Sequence, residues 1–262
     1  SVVEDGACKI VRTCHLPTAE VEKVAPAKID GVTLNMETLA FLRDGQDAME
    51  QLGGFASSYE SWIEKQKKSL SGLSQRRQDI ASELLRRAGL AAKRIRAGIE
   101  LLAQHDCMEA FRLANKTMAA QGRRRLALQL KVAPEAVTPA WRPFQLAFIL
   151  MNLKGIAEPT SDDRELVDLL FFPTGGGQTE AYLGLAAFTL VLRRLRNKGL
   201  TSGGLSVLMR YTLRLLTLDQ LGRAAALICA LELERQNDVD KLGEWPFEIG
   251  LWVGRAATPN RM

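Results

Sequence analysis

The stretch that decides the fold is Phe171-Phe172-Pro173-Thr174-Gly175-Gly176-Gly177-Gln178-Thr179-Glu180. Ahead of it runs the apolar segment Leu166-Val167-Asp168-Leu169-Leu170-Phe171-Phe172. Behind it, from Ala181 to Arg196, apolar residues recur at helical spacing and give way to arginines. This order predicts a buried strand, a glycine turn and a helix, the context that a phosphate-binding loop requires. Three glycines let the backbone bend until several N–H groups converge on one point. The N-terminus of the following helix adds partial positive charge there. Thr179 stands where a hydroxyl would bind the Mg²⁺ of a bound ATP.

One position departs from that pattern. A phosphate-binding loop ends in Gly-Lys-Thr or Gly-Lys-Ser, and this one ends in Gly177-Gln178-Thr179. Glutamine is nearly as long as lysine but carries no charge. Phosphate can still be held by backbone donors, whereas charge building up on the β/γ-phosphates goes unanswered.

The 262 residues allow one large domain or two smaller ones. A hydrophobic fraction of 47% supports a sizeable core, and a net charge of +5 is compatible with a nucleic-acid partner. Cys8, Cys14, Cys107 and Cys229 are scattered, which suggests neither a disulfide framework nor a zinc site and fits a reducing cytoplasm. His105-Asp106-Cys107 has the composition of a catalytic triad, but neighbours on a helix do not face each other. No signal peptide is recognisable and the apolar stretches are too short to span a bilayer, so no membrane is expected. The Ser1 start and the abrupt end at Met262 suggest a piece of a longer protein.

Two regions follow. Residues 1–137 read as a mostly helical, basic N-terminal region. A short helix is expected within 33–51, then a long helical stretch from Ser57 with Gly72 and Gly89 as interruptions. One face of that stretch carries Lys65, Lys67, Lys68, Arg76, Arg77, Arg86, Arg87, Lys93, Arg94 and Arg96, either a solvated face or a grip for phosphates. Pro134 and Pro139 punctuate the chain. From 138 to 262, short apolar runs at Leu166–Phe172, Leu205–Met209 and Phe247–Gly254 alternate with helical stretches. Strands alternating with helices predict an α/β fold with a parallel, helix-covered sheet.

Four ordered stretches of residues 140–262 resemble the superfamily 2 helicases. Trp141-Arg142-Pro143-Phe144-Gln145 is similar to the element upstream of their P-loop, whose glutamine reads adenine. Pro173-Thr174-Gly175-Gly176-Gly177-Gln178-Thr179 resembles their motif I with its lysine lost. The segment with Thr212, Arg214 and Gln220 resembles motif Ia, and Thr258-Pro259-Asn260-Arg261 resembles motif Ib. Among such proteins the wording is most similar to the helicase-subunit family of the DISARM anti-phage system. Phe172-Pro173-Thr174-Gly175-Gly176-Gly177, Thr179-Glu180-Ala181-Tyr182-Leu183-Gly184, Leu208-Met209-Arg210-Tyr211-Thr212-Leu213-Arg214 and Gly250-Leu251-Trp252-Val253-Gly254 carry that similarity.

The resemblance implies an incomplete RecA-like lobe over 138–262, with ATP and Mg²⁺ as cofactors. Arg142, Gln145, Thr174, Gly175, Gly176, Gly177, Gln178, Thr179 and Glu180 would contact the nucleotide, and Thr179 the metal. Thr212, Arg214, Gln220, Thr258 and Arg261 would contact DNA, as a single strand or at a duplex–single-strand junction. A partner subunit of the defence system is implied as well. The acidic box that would complete the metal site and position the attacking water has no counterpart in the sequence. The alternative is a non-enzymatic module that binds nucleic acid or a partner through a degenerate P-loop; an ordinary P-loop kinase has no use for motifs Ia and Ib.

Overall fold

A computed structural model describes residues 2–4, 7–10, 29–170, 177–197, 199–211 and 214–252, with the backbone alone at 2–4, 7–10 and 214–218. Among them, helices dominate: α1 (Met36–Ala40), α2 (Gly45–Leu52), α3 (Gly54–Lys68), α4 (Gln75–Leu101), α5 (His105–Leu130), α6 (Pro143–Ala157), α7 (Gln178–Arg196), α8 (Arg214–Asn237) and α9 (Val239–Leu242). Local chemistry sets several ends. The Asn35 side chain accepts from the Glu37 and Thr38 amides at the start of α1, and Asp44 does the same for Asp47 at the start of α2. Pro143 opens α6 at a position where its missing N–H costs nothing. α5 ends on Lys131 in the left-handed region, φ 57°.

The main core is one cluster drawn from both sides of residue 138. α5 lies at its centre, packed against α1, α7 and α8, while α4 packs against α6. Phe111, Leu146, Leu150, Leu183 and Phe188 are fully buried in it. Two glycines set how close the helices come. A Cβ on Gly98 of α4 would lie 1.8 Å from the Leu150 carbonyl oxygen of α6, and one on Gly184 of α7 would lie 2.6 Å from the Trp141 ring. Trp141 itself ties three parts of the chain together. Its indole N–H donates to Asn115 Oδ1 of α5 (2.7 Å), and its backbone N–H donates to the Leu34 carbonyl just ahead of α1 (2.8 Å).

The expected break at Gly72 falls in the turn that joins α3 to α4, while Gly89 stays inside α4. A single helical glycine costs only about 1 kcal/mol relative to alanine, which the tertiary packing of so long a helix overrides. Ile63, Leu85 and Ala92 form a small second core between α3 and α4.

The expected α/β architecture with a RecA-like parallel sheet is overturned. Among the described residues the strands are β1 (Val2–Glu4) and β2 (Ala7–Ile10), an antiparallel hairpin far from the predicted sheet. Residues 166–170, 205–209 and 247–252 have no regular structure; the remainder of two of those predicted strands, 171–172 and 253–254, lies outside the described residues. Val167 is 96% exposed, Leu205 76% and Trp252 99%, whereas strands of a parallel sheet are covered on both faces. Side chains on helices hold these segments instead of ladder partners. Arg94 of α4 grips Asp168 with two 2.7 Å hydrogen bonds. Arg193 donates to the carbonyls of Ser202, Gly203 and Leu205, and Arg194 donates to the Pro246 carbonyl and lies over the Phe247 ring. An apolar run of this length has no periodicity that separates a strand from an anchored extended segment. Among the described residues no helix is long and apolar enough to cross a membrane.

The glycine contacts give a paired test. Gly98→Ala should destabilise the protein by about 1–3 kcal/mol, because α4 and α6 must separate to admit the methyl group. Gly89→Ala, whose Cβ meets nothing within 4 Å, should stabilise it by about 0.5–1 kcal/mol. Urea midpoints of both variants measure this, and equal effects at the two sites would refute the close crossing.

Candidate functional site at the start of the seventh helix

Gly177 precedes α7 with φ at 96°, a conformation that side chains rarely adopt. Its carbonyl accepts a hydrogen bond from Gln145 Nε2 of α6 at 2.7 Å, and Gln145 Oε1 accepts from the backbone N–H of Arg142 at 2.7 Å. One buried amide therefore bridges the starts of α6 and α7. A Cβ on Gly177 would fall 2.7 Å from Gln145 Nε2 and 3.9 Å from Arg142 Nη1. The space beside this glycine is thus bounded by two donors, an amide and a guanidinium, and by the Glu180 carboxylate, whose Oε2 would lie 3.4 Å from that Cβ.

Glu180 sits in the first turn of α7, where the helix dipole favours an anion. Arg125 of α5 and Arg223 of α8 both form ion pairs with its Oε1. Burial works against ionisation of this carboxyl, but Arg223 and Arg125 outweigh it and hold its pKa below the usual value. Gln121 donates to the Arg223 carbonyl at 2.6 Å, which fixes that part of α8 against α5. Arg125, Arg142 and Arg223 set against Glu180 leave the end of α7 net positive, with the N-terminal amides of the helix among them.

The structure brings Arg142, Gln145, Gly177, Gln178, Thr179 and Glu180 together, as the first residues of α6 and α7 and those just before them. Gln145 is 3% exposed, and its amide is engaged in holding the two helix starts together. Thr174, Gly175, Gly176, Thr212, Thr258 and Arg261 lie outside the described residues. Arg214 is the first residue of α8. Gln220 is buried in that helix; its Nε2 donates to Asp219 at 3.3 Å, and among the described residues its Oε1 has no hydrogen-bond partner. Arg125 and Arg223 were not singled out from the sequence. Arg123-Arg124-Arg125 is visible there as a cationic run, but nothing in the spacing of 125, 180 and 223 signals that three separate helices converge.

Among the described residues no cluster of three or more His, Cys, Asp or Glu could hold a metal ion. Glu180 is occupied by its two arginines. The His105–Cys107 trio offers no alternative chemistry. Asp106 is ion-paired with Arg196, and burial together with Asp106 pushes the Cys107 thiol up to about 12.

No protein-family model matches the chain. Its sequence is 38% identical to DISARM protein DrmA of Bacillus paralicheniformis, in an alignment of 275 residues that takes in 96% of this chain and 24% of that protein. The chain is a relative of that protein along nearly its whole length, and it spans about a quarter of it.

The Glu180 triad makes a signed pH prediction. With its folded pKa held below the unfolded value of about 4.3, its contribution is complete above that value and is lost as pH falls through the lower folded pKa. Glu180→Gln should therefore destabilise the protein at neutral pH, and the gap to the parent chain should close below about pH 4. Urea midpoints across that range test it; a gap that stays constant with pH would show that the charge of Glu180 is irrelevant.

Proposed function

We propose that this chain is a nucleotide- and nucleic-acid-contacting part of an ATP-driven helicase of a DISARM-type phage-defence system. We propose further that, as it stands, it binds nucleotide without hydrolysing it. The observation that carries this reading is the Gln145 to Gly177 bridge. It joins the two stretches that the helicase resemblance assigns to the nucleotide, in a fold that lacks the expected sheet. The similarity to DISARM protein DrmA supports the defence-system context.

The residues fit a phosphate group by their chemistry. The left-handed Gly177 leaves a space that a Cβ would fill, with the Arg142 guanidinium and the ion-paired Glu180 carboxylate beside it and helix amides behind it. Arg142 and the first amides of α7 would hold the phosphate. Arg125 and Arg223 keep the Glu180 carboxylate from repelling it. Gln178 offers a dipole where a charge is wanted, and Thr179 offers a hydroxyl to any Mg²⁺ that accompanies the nucleotide. ATP would bring a phosphoanhydride, but no described side chain here is free to orient an attacking water. DNA is the proposed second ligand, contacted through phosphates by the basic surface, with a further defence-system subunit as partner.

The test compares the parent chain with two variants. Arg142→Ala should weaken nucleotide binding by about tenfold, the cost of one charged hydrogen bond. Gln178→Lys should tighten it, since lysine meets the phosphates in the ground state as well. Neither version should release phosphate over hours, because the charged contacts that speed such transfer are worth on the order of 10³–10⁵ in rate and are lacking. Calorimetric titration and a phosphate assay read both quantities. Binding unaffected by Arg142→Ala, or steady phosphate release, would refute the reading. Single-stranded DNA binding should fall with added salt.

A further inference from the structure

α3 and α4 form an antiparallel hairpin joined by residues 69–74, with Ile63 of α3 buried against Leu85 and Ala92 of α4. Trp62 and Leu84 each precede one of those buried residues by a single position. In an antiparallel pair, one step back from the packed position turns both side chains to the same side. That side is apolar and open. Trp62 is 48% exposed, Leu84 61%, and Ile80, one turn before Leu84, 54%. Tyr59 stacks on Trp62 with ring centroids 5.8 Å apart and extends the surface inward.

The rim of this groove is cationic. Lys65 lies one turn after Trp62, and Arg76 and Arg77 lie one turn before Ile80. All three are exposed, and among the described residues none has a hydrogen-bond or ion-pair partner. The nearby acids are occupied: Glu83 by Arg86 and Arg87, Glu64 by Lys67, and Asp79 by Gln75. The groove thus presents an apolar floor between free positive charges.

We infer that the α3–α4 groove docks an amphipathic helix of a partner protein, one with an apolar spine and acidic flanks. A groove between two packed helices has the width of a third helix, and the apolar spine buries Trp62, Ile80 and Leu84. Acidic flanks meet Lys65, Arg76 and Arg77 across the rim, which steers the approach and selects the partner. Nucleic acid fits less well, because its phosphates gain nothing from Ile80 and Leu84, the exposed aliphatic part of the floor. This surface is separate from the start of α7 and does not depend on nucleotide binding there.

The probe is a labelled synthetic helix with a leucine spine and glutamate flanks, followed by fluorescence anisotropy against the whole chain. It should bind, and Ile80→Glu or Leu84→Glu should weaken it by about tenfold or more. Both positions are exposed, so circular dichroism and Tm should stay unchanged. The charge-swapped groove Lys65→Glu/Arg76→Glu/Arg77→Glu should reject this peptide and accept its lysine-flanked counterpart. Binding of a DNA duplex and of a single strand, measured on the Ile80→Glu and Leu84→Glu variants, should show no dependence on Ile80 or Leu84. Absence of peptide binding overturns the inference. So does equal binding of both peptides to both grooves, loss of DNA binding on Leu84→Glu, or a dimer that the Leu84→Glu change abolishes.

Discussion

The hydrogen bond from the Trp141 indole to Asn115 holds the architecture together. Both side chains are buried, at 3% and 2% exposure, so neither can recover the bond from water if the other is lost. Asn115 is fixed in turn, its amide donating to the Phe111 carbonyl one turn earlier in α5. Trp141 meanwhile faces Gly184 of α7, and its backbone pairs with Leu34. Met36 donates to the Pro139 carbonyl, and Asn35 bridges to Ala140, so the start of α1 is stitched to the segment leading into α6. One aromatic residue therefore sets the relative positions of α1, α5, α6 and α7.

The candidate site inherits its precision from that residue. Arg142 follows Trp141 directly, and Gln145 lies in the first turn of α6, so the direction of α6 decides where both point. Gly184 lets α7 approach the indole, which brings Gly177 within reach of the Gln145 amide. The charges respond to the same geometry. Arg125 of α5 and Arg223 of α8 hold the Glu180 pKa below its usual value against the opposing effect of burial, and α5 is the helix that Trp141 grips. Electrostatics and packing converge on the start of α7 through one set of helices.

The sequence made parts of this legible and concealed others. The helix after the glycine turn and the long basic helices before residue 130 follow from helical spacing, whereas only the helicase resemblance assigns Gln145 and Gly177 to one site. Apolar content alone predicts strands at Leu166–Phe172, Leu205–Met209 and Phe247–Gly254, and among their described residues no sheet forms. What holds those segments is a set of arginines, Arg94, Arg193 and Arg194, that look from the sequence like ordinary solvated charges. The same blindness hid Arg125 and Arg223. A cation's role is fixed by which carboxylate or carbonyl lies opposite in space, and side chains 55 and 43 positions apart carry no periodic signature of that.

α4 has a mechanical consequence. At about 1.5 Å per residue its 27 residues span about 40 Å as one rod. As far as Arg96 it stands with α3 as an arm, and at Gly98 it crosses α6 with no side chain between the backbones. Such a rod behaves as a lever whose fulcrum is that bare crossing. Gly89, midway along it, is braced from α3, because Ile63 packs on both Leu85 and Ala92 and Glu60 pairs with Arg96, so arm and fulcrum turn together. A sideways load on the arm is thereby delivered as torque to α6, the helix whose first turn carries Gln145.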